Sequence, residues 1–191
     1  MTDYRLKAED AGPSGLIDRA RNGDLTAFEE IVRLHERQVL GTAFGLLGHL
    51  EDAQDAAQEV FLKLYRHLAR LEDIREVRAW LYRVTANVCH DLRRSRRRWP
   101  SEELSGQEPS GSADDPEQVW QSEERKQVVG RALRKLPEKE RAAVVLRDVE
   151  GLSTREVAEI LGSSETTVRS QICSARMKMK QFTDRYLRKR I

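Results

Sequence analysis

The chain has 191 residues, of which 35% are charged and only 6% are aromatic, so any core must be built mainly from aliphatic side chains. This length suits one medium domain or two small ones, and the lack of a run of eighteen apolar residues excludes a membrane span. We expect no secretory signal, because residues 1–15 contain no apolar segment. Cys89 and Cys173 lie outside any CxxC motif or Cys/His cluster, which argues against a disulfide or zinc site and favours a cytoplasmic location.

The formal net charge of +2 conceals separate basic and acidic blocks. Residues 93–98, RRSRRR, are almost entirely basic, and residues 176–191 are basic again. The stretch between them at 99–124 carries many carboxylates and no Lys or Arg. This pattern indicates two polyanion-binding ends separated by a spacer that avoids polyanions.

Helical periodicity predicts an all-α protein with two small helical domains joined by a flexible acidic linker. The linker is rich in Ser, Gly, Pro and acidic residues, and it cannot bury enough apolar area to fold alone. We divide the chain into a disordered tail (1–13), an N-terminal domain (14–98), the linker (99–118), a C-terminal domain (119–185) and a basic tail (186–191).

The N-terminal domain is predicted to begin with a short helix near residues 14–22, followed by a longer helix that Asp24 caps. The third and fourth helices carry apolar residues at three-four spacing, which predicts one buried stripe on each. The stripe of the third helix comprises Ala53, Ala56, Ala57, Val60, Phe61, Leu64, Tyr65 and Leu68. The stripe of the fourth helix, at 76–98, comprises Val77, Trp80, Leu81, Val84, Val88 and Leu92.

The first helix of the C-terminal domain is predicted to bury Val128, Val129, Ala132 and Leu133. Pro137 fits the first turn of the next helix, which we expect to end near Gly151. Ser153 and Glu156 form a capping box for a short helix through Leu161.

The segment STREVAEILGSSETTVRSQICSARM predicts a DNA-binding helix-turn-helix. Ala158 lets the two helices approach closely, Gly162 allows the turn, and Val168 anchors the second helix. Residues near the start of that helix can enter the major groove, where Arg169 can pair with guanine. Ser164 caps this helix, and the residues left exposed are Glu165, Thr166, Thr167, Arg169, Ser170, Arg176 and Lys180. Arg176, Lys178 and Lys180 lie further along and are expected at phosphates. This motif alone fits a repressor equally well.

The third helix of the N-terminal domain has an acidic face. Asp52, Asp55 and Glu59 are predicted to lie opposite its buried stripe, with Gln58 beside them. Such a face repels phosphate and suits a basic protein surface. An ordinary solvated face is the alternative interpretation.

The fourth helix is basic towards its C-terminal end. Its polar residues at three-four spacing are Arg83, Asn87, His90, Arg94 and Arg97. Asn87 can read a base edge while the arginines hold backbone phosphates. Trp80 and Tyr82 offer aromatic faces to an unstacked base, although Trp80 at this spacing is more often a core residue.

Three segments in order resemble the bacterial RNA polymerase sigma factors of the two-domain extracytoplasmic-function group: DAQDAAQEVFLKLYRHL, VRAWLYRVTANVCHDLRRSRRR and LRKLPEKERAAVVLRDVEGLSTREVAEILGSSETTVRSQICSARMKM. The resemblance covers roughly residues 15–98 and 120–185. It implies a dissociable specificity subunit that binds core polymerase and directs promoter-specific initiation of a stress or envelope-response regulon.

The resemblance also implies three sets of site residues. Those for the clamp helices of the polymerase's largest subunit are Asp52, Asp55, Gln58 and Glu59. Those for recognising and melting the minus-ten element are Arg78, Tyr82, Arg83, Asn87, Arg94 and Arg97, with Asn87 favoured as the DNA reader. Those for the minus-thirty-five element are Ser164, Glu165, Thr166, Thr167, Arg169, Ser170 and Arg176, on a domain expected at the flap of the second-largest subunit.

Two positions depart from the family pattern, namely Thr166, where Gly is common, and Gln171, where a basic residue is common. These departures put the minus-thirty-five sequence preference in doubt. The resemblance further implies control by an anti-sigma protein, which could hold the chain at the inner membrane. We expect no catalytic residue, cofactor or metal, because HExxH, P-loop and GxSxG motifs are missing.

Two alternatives stay open at this point. The chain could be a dimeric gene-specific DNA-binding regulator, in which residues 15–98 serve for oligomerisation or signalling. It could also be a scaffold or an anti-sigma-like adaptor without a DNA role, which the two basic blocks disfavour. Promoter-specific transcription with core polymerase distinguishes the sigma factor from both.

Overall fold

The structure is a computed structural model that describes residues 13–71, 74–98 and 127–188. The predicted linker lies outside these residues. All regular elements in the described part of the chain are helical, as the periodicity predicts. The helices of the N-terminal domain are α1 (Pro13–Arg21), α2 (Leu25–Leu47), α3 (Leu50–His67), with a 3-10 turn at Leu68–Arg70, and α4 (Ile74–Arg98). Those of the C-terminal domain are α5 (127–134), α6 (Glu138–Val144), which continues as a π-helical turn at Val145–Val149, α7 (Thr154–Leu161) and α8 (Glu165–Arg188).

Helix ends follow the capping chemistry that the sequence predicts. The Asp24 carboxylate accepts hydrogen bonds from the first backbone N–H groups of α2, which satisfies donors that have no partner within the helix. Ser153 and Glu156 form the predicted capping box at the start of α7. Gly162 ends α7 with φ of 58°, a left-handed conformation that glycine adopts without steric cost. The turn of the helix-turn-helix is therefore encoded locally.

The apolar stripe of α3 forms the centre of the N-terminal core, where Ala53, Val60 and Leu64 are completely buried. Two predicted core residues are exceptions. Tyr65 is 51% exposed, because it lies at the edge of the stripe, where its ring and that of Phe28 meet edge-to-face at a centroid distance of 5.1 Å.

The second exception, Val129, is 42% exposed at the surface of α5. Its neighbour Val128 is buried, because adjacent residues on a helix point about 100° apart.

The two domains share their hydrophobic cores in this structure. The larger cluster combines the N-terminal core with C-terminal residues, among them Leu133, Leu136, Val145 and Ala175. The smaller cluster, built on α6, α7 and α8, includes Tyr82 of α4. The C-terminal domain therefore lies directly against α2 and α4.

Candidate polymerase-binding and DNA-binding surfaces

The acidic face of α3 is present, but it is smaller than predicted. Asp55, Gln58 and Glu59 are exposed, with Glu59 3.3 Å from the ammonium of Lys63. Asp52 is only 6% exposed, so its predicted place on the open face is wrong. The reason is helical phase: Asp52 lies one turn before buried Ala56 and at the border of the apolar stripe. Its carboxylate therefore belongs to the core side of the helix.

Two exposed apolar residues extend the same α3 face, and the sequence analysis did not place them there. Leu62 is 52% exposed one turn after Gln58, and exposed Tyr65 follows it. Together with Asp55 they give α3 a surface with an acidic start and an apolar end. The available signal was the position of Leu62, which is out of phase with the buried stripe.

Four of the predicted minus-ten residues are exposed on α4, namely Arg78, Arg83, Asn87 and Arg94. The amide of Asn87 offers two donors and one acceptor, which suits a base edge. The side chain of Arg97 lies outside the described residues. Arg83, Asn87 and Arg94 therefore share one open face of α4, whereas Arg78 lies about 140° or more around the helix from them.

Tyr82 is an exception to this exposed stripe. It is only 3% exposed, packs in the cluster of the C-terminal domain, and donates its hydroxyl to Oε2 of Glu150 at 3.2 Å. Burial raises the pKa of its phenol, and the Arg78 guanidinium lies 5.9 Å from its ring centroid. The prediction that Tyr82 offers a free aromatic face is wrong in this arrangement, because the C-terminal domain covers the ring.

The start of α8 carries the predicted minus-thirty-five residues on an exposed surface. Ser164 caps the helix by accepting the N–H of Thr167 at 3.1 Å, so its hydroxyl stabilises the helix as well as facing solvent. Exposed Arg169 forms an ion pair of 2.7 Å with Glu165, and Thr166 and Ser170 are also exposed. Exposed pairs of this kind contribute little free energy, so Arg169 is readily released to a nucleic acid.

Arg176, further along α8, is bound to its own domain. Its guanidinium donates two hydrogen bonds of 2.8 and 2.6 Å to the Asp148 carboxylate, which raises the pKa of Arg176. Lys178 similarly donates to Glu140 at 2.6 and 2.8 Å. Arg176 and Lys178 therefore hold α8 against the elements before it. The number of basic residues in the sequence does not reveal this structural role.

The helix-turn-helix scaffold matches the sequence prediction. Ala158 and Val168 are buried at the contact of α7 with α8, and the Ser163 N–H donates to the Ala158 carbonyl at 2.9 Å across the turn. Gln171, which departs from the family pattern, is half-buried. The packing of α7 against α8 therefore fixes the position of the exposed residues at the start of α8.

Comparison with known families finds a match for each of the two domains. Residues 31–99 match the family described as Sigma-70 region 2, and residues 126–179 match Sigma-70, region 4. The ECF RNA polymerase sigma-E factor of Escherichia coli K12 is 35% identical over 170 residues, which cover 84% of this chain and 88% of that protein. The chain belongs to the extracytoplasmic-function sigma factors of RNA polymerase. The region 2 match contains the α3 and α4 faces of this sigma factor, and the region 4 match contains its helix-turn-helix.

Solved structures agree with this assignment. The structure of CnrH in complex with the cytosolic domain of CnrY is 25% identical to this sigma factor, has a TM-score of 0.65, and covers 90% of this chain and 97% of CnrH. The sigma factor RpoE, solved with the anti-sigma factor NepR from Bartonella quintana, is 21% identical and has a TM-score of 0.68. It covers 82% of this chain and 96% of its own, and shows the same fold.

Both cysteines of this sigma factor lie in the described part of the chain. No group of His, Cys, Asp and Glu residues there could hold a metal ion, and no helix there is long and apolar enough to cross a membrane. Cys89 is buried, which raises its pKa to about 12, so its thiol stays protonated. Cys173 is exposed.

Proposed function

We propose that this sigma factor binds core RNA polymerase through the exposed face of α3 and directs promoter-specific initiation through α4 and α8. One observation supports this best: consecutive helices of the same domain expose opposite charge, acidic on α3 and basic on α4. The acidic face of α3 suits a basic protein surface, and the basic face of α4 suits a polyanion.

On α3, the binding surface comprises Asp55, Gln58, Glu59 and Leu62. The carboxylates steer the helix to a basic partner, and the exposed leucine supplies apolar area that can be buried on binding. We assign its partner as the clamp helices of the polymerase's largest subunit. Asp52 supports this surface from within and does not contact the partner.

On α4, the arginines neutralise phosphates of the minus-ten strand and Asn87 bonds to a base. Holding an unstacked strand compensates for the few kcal/mol that unstacking each base costs, so binding itself drives melting. On α8, Arg169 and its hydroxyl neighbours read the minus-thirty-five element. This role needs no catalytic residue of the chain's own, because the polymerase performs the chemistry.

Control by an anti-sigma protein is part of the proposal, supported by the family to which the chain belongs. Such a partner would cover the same α3, α4 and α8 surfaces. A stress or envelope-response regulon is the expected target.

The test is promoter-specific run-off transcription. Transcripts mapped after controlled overproduction supply a promoter, and purified chain is then added to sigma-free core polymerase. We expect transcripts from the mapped start that are missing without the chain. Duplex binding without run-off would refute the sigma function and favour a gene-specific regulator.

A further inference from the structure

The start of α8 carries one charged pair whose two members lie on the same face of the helix. Glu165 is the first residue of α8, and Arg169 follows one turn later. Nη2 of Arg169 donates to Oε2 of Glu165 at 2.7 Å. Glu placed four residues before Arg is the favourable order for such a pair, and side chains lean towards the helix N-terminus. The guanidinium is therefore held over the first turn of α8.

This pair carries all the charge that the first three turns of α8 contain. Between residues 163 and 175, Glu165 and Arg169 are the only charged residues. The hydroxyls of Ser164 and Thr167 lie 2.8 Å apart, and Ser164 accepts the Thr167 N–H, so both side chains take part in the helix cap. The Glu165–Arg169 pair is consequently the strongest polar feature that this end of the helix can offer to a base.

A carboxylate at this position has an electrostatic cost for a DNA-binding helix. Glu165 repels phosphates and cancels the charge of Arg169, so this segment contributes no net attraction to the DNA backbone. What remains is directional. A guanidinium has five N–H donors, and Glu165 accepts from one nitrogen, which leaves donors for a base edge. Guanine presents two acceptors, N7 and O6, whereas adenine presents N7 beside an amino donor.

We propose that Glu165 is a positioning residue for base recognition, which turns the Arg169 guanidinium towards guanine and away from neighbouring phosphates. The inference rests on the proposed function of α8. In water the exposed pair contributes little free energy, but its hydrogen bond is stronger in the groove, where less water surrounds it. If Arg169 turned to a phosphate, it would leave the carboxylate beside DNA without its partner. Glu165 therefore increases discrimination between bases and lowers non-specific binding.

The test measures binding to short fluorescein-labelled duplexes that carry only the upstream element of the mapped promoter. Each G·C pair of the element is replaced in turn by A·T, with the purine on the same strand. The pair at which Arg169→Ala loses its preference is the one that Arg169 reads. We expect Glu165→Gln to reduce the preference for guanine at that pair about tenfold, and to bind a duplex without the element more tightly than the wild type. Because Arg169 is exposed in the free chain, affinities are measured with the chain alone and with the chain on core polymerase.

Glu159→Gln is the matched control. Glu159 forms the same kind of exposed i,i+4 pair, with Arg155 at 3.1 Å on α7, and its neutralisation changes the net charge by the same single unit. This control should keep the wild-type preference for guanine. A double-mutant cycle then shows whether Glu165 acts through Arg169. In the Arg169→Ala background, Glu165→Gln should have no further effect on the preference.

Three results would overturn the inference. The first is an unchanged preference for guanine in Glu165→Gln, including a variant that weakens binding to all duplexes alike, as damage to the helix would. The second is an undiminished effect of Glu165→Gln in the Arg169→Ala background, which would make Glu165 a reader in its own right. The third, a wild-type preference at every pair in Arg169→Ala, would also refute the assignment of Arg169. Failure of the sigma function would instead appear as missing run-off transcription, while the affinities of the chain alone for duplexes stay measurable.

Discussion

Burial of a single imidazole gives this protein a pH-dependent stability. His35 is buried in α2, with Nδ1 3.3 Å from Oε1 of Gln38, and burial lowers its pKa below the usual 6.5. The folded state therefore holds the neutral ring, while the unfolded chain takes up a proton near pH 6.5. The contribution of His35 to stability is present above that pH and is lost as the pH falls below it.

The corresponding prediction compares wild type with His35→Leu. The free energy of unfolding in urea should fall more steeply for the wild type than for the variant between about pH 7.5 and 5.5, because only the wild type must bury or release a charge at position 35. Carboxylates contribute equally to both proteins. Parallel curves would show that the pKa of His35 is the same in the folded and unfolded states, which would contradict this prediction.

Arg169 is the residue expected to decide the use of the minus-thirty-five element. Arg169→Ala should weaken binding to promoters that depend on this element by about 1–3 kcal/mol, which is the usual contribution of a bidentate guanine contact. Binding to polymerase should be unchanged. Run-off transcription from templates with intact and scrambled upstream elements measures the effect. Arg33→Ala is a matched control, because Arg33 also forms an exposed i,i+4 pair, with Glu29 on α2. Equal loss on both templates would refute the assignment.

At the scale of helices, the exposed face of α3 carries the proposed contact to polymerase. Asp55→Lys should reduce the affinity for sigma-free core polymerase about tenfold or more, because it places like charge against a basic surface. Asp184→Lys on α8 makes the same change at another exposed carboxylate and should bind normally. Fluorescence anisotropy with labelled chain gives both affinities. An unchanged affinity of Asp55→Lys for core polymerase would contradict the proposed contact of the acidic face of α3.

The helices and their ends could be predicted because their causes are local. Asp24, Ser153 and Gly162 act on backbone groups within a few residues, and the stripe of α3 repeats within one helix. The burial of Tyr82 could not be predicted in this way, because its partner Glu150 is 68 residues away and on another domain. The burial of Asp52 was missed for another reason. A residue at the border of an apolar stripe is buried only where a neighbouring helix packs against it, and the pattern within one helix does not show this.

For the whole molecule, the guanidinium of Arg141 is a buried polar link between the domains. It donates to the carbonyls of Leu46 in α2 and Leu136 in its own domain, both at 3.1 Å. Removing the donor takes this hydrogen bond from the buried Leu136 carbonyl and leaves the Leu46 carbonyl with the bond from Arg93 at 3.3 Å.

Arg141→Met should therefore destabilise the chain by about 2–4 kcal/mol, the cost of losing buried hydrogen bonds to a charged group. Lys139→Met, at an exposed position of the same helix, should have little effect. Urea unfolding gives both values, and native-state hydrogen exchange should show faster opening at the end of α2 as well as in α6. An effect confined to the C-terminal domain would contradict a link between domains.

The π-helical turn at Val145–Val149 requires a fixed number of residues between α6 and α7. The Glu150 N–H bonds to the Val145 carbonyl at 3.0 Å, five residues back, which accommodates one more residue than ordinary helical pitch. Deleting one residue there would rotate everything downstream by about 100°. Glu150 would leave Tyr82, and the reading helix would face a different direction. Single-residue insertions and deletions should consequently be far more damaging in this turn than substitutions at its exposed positions.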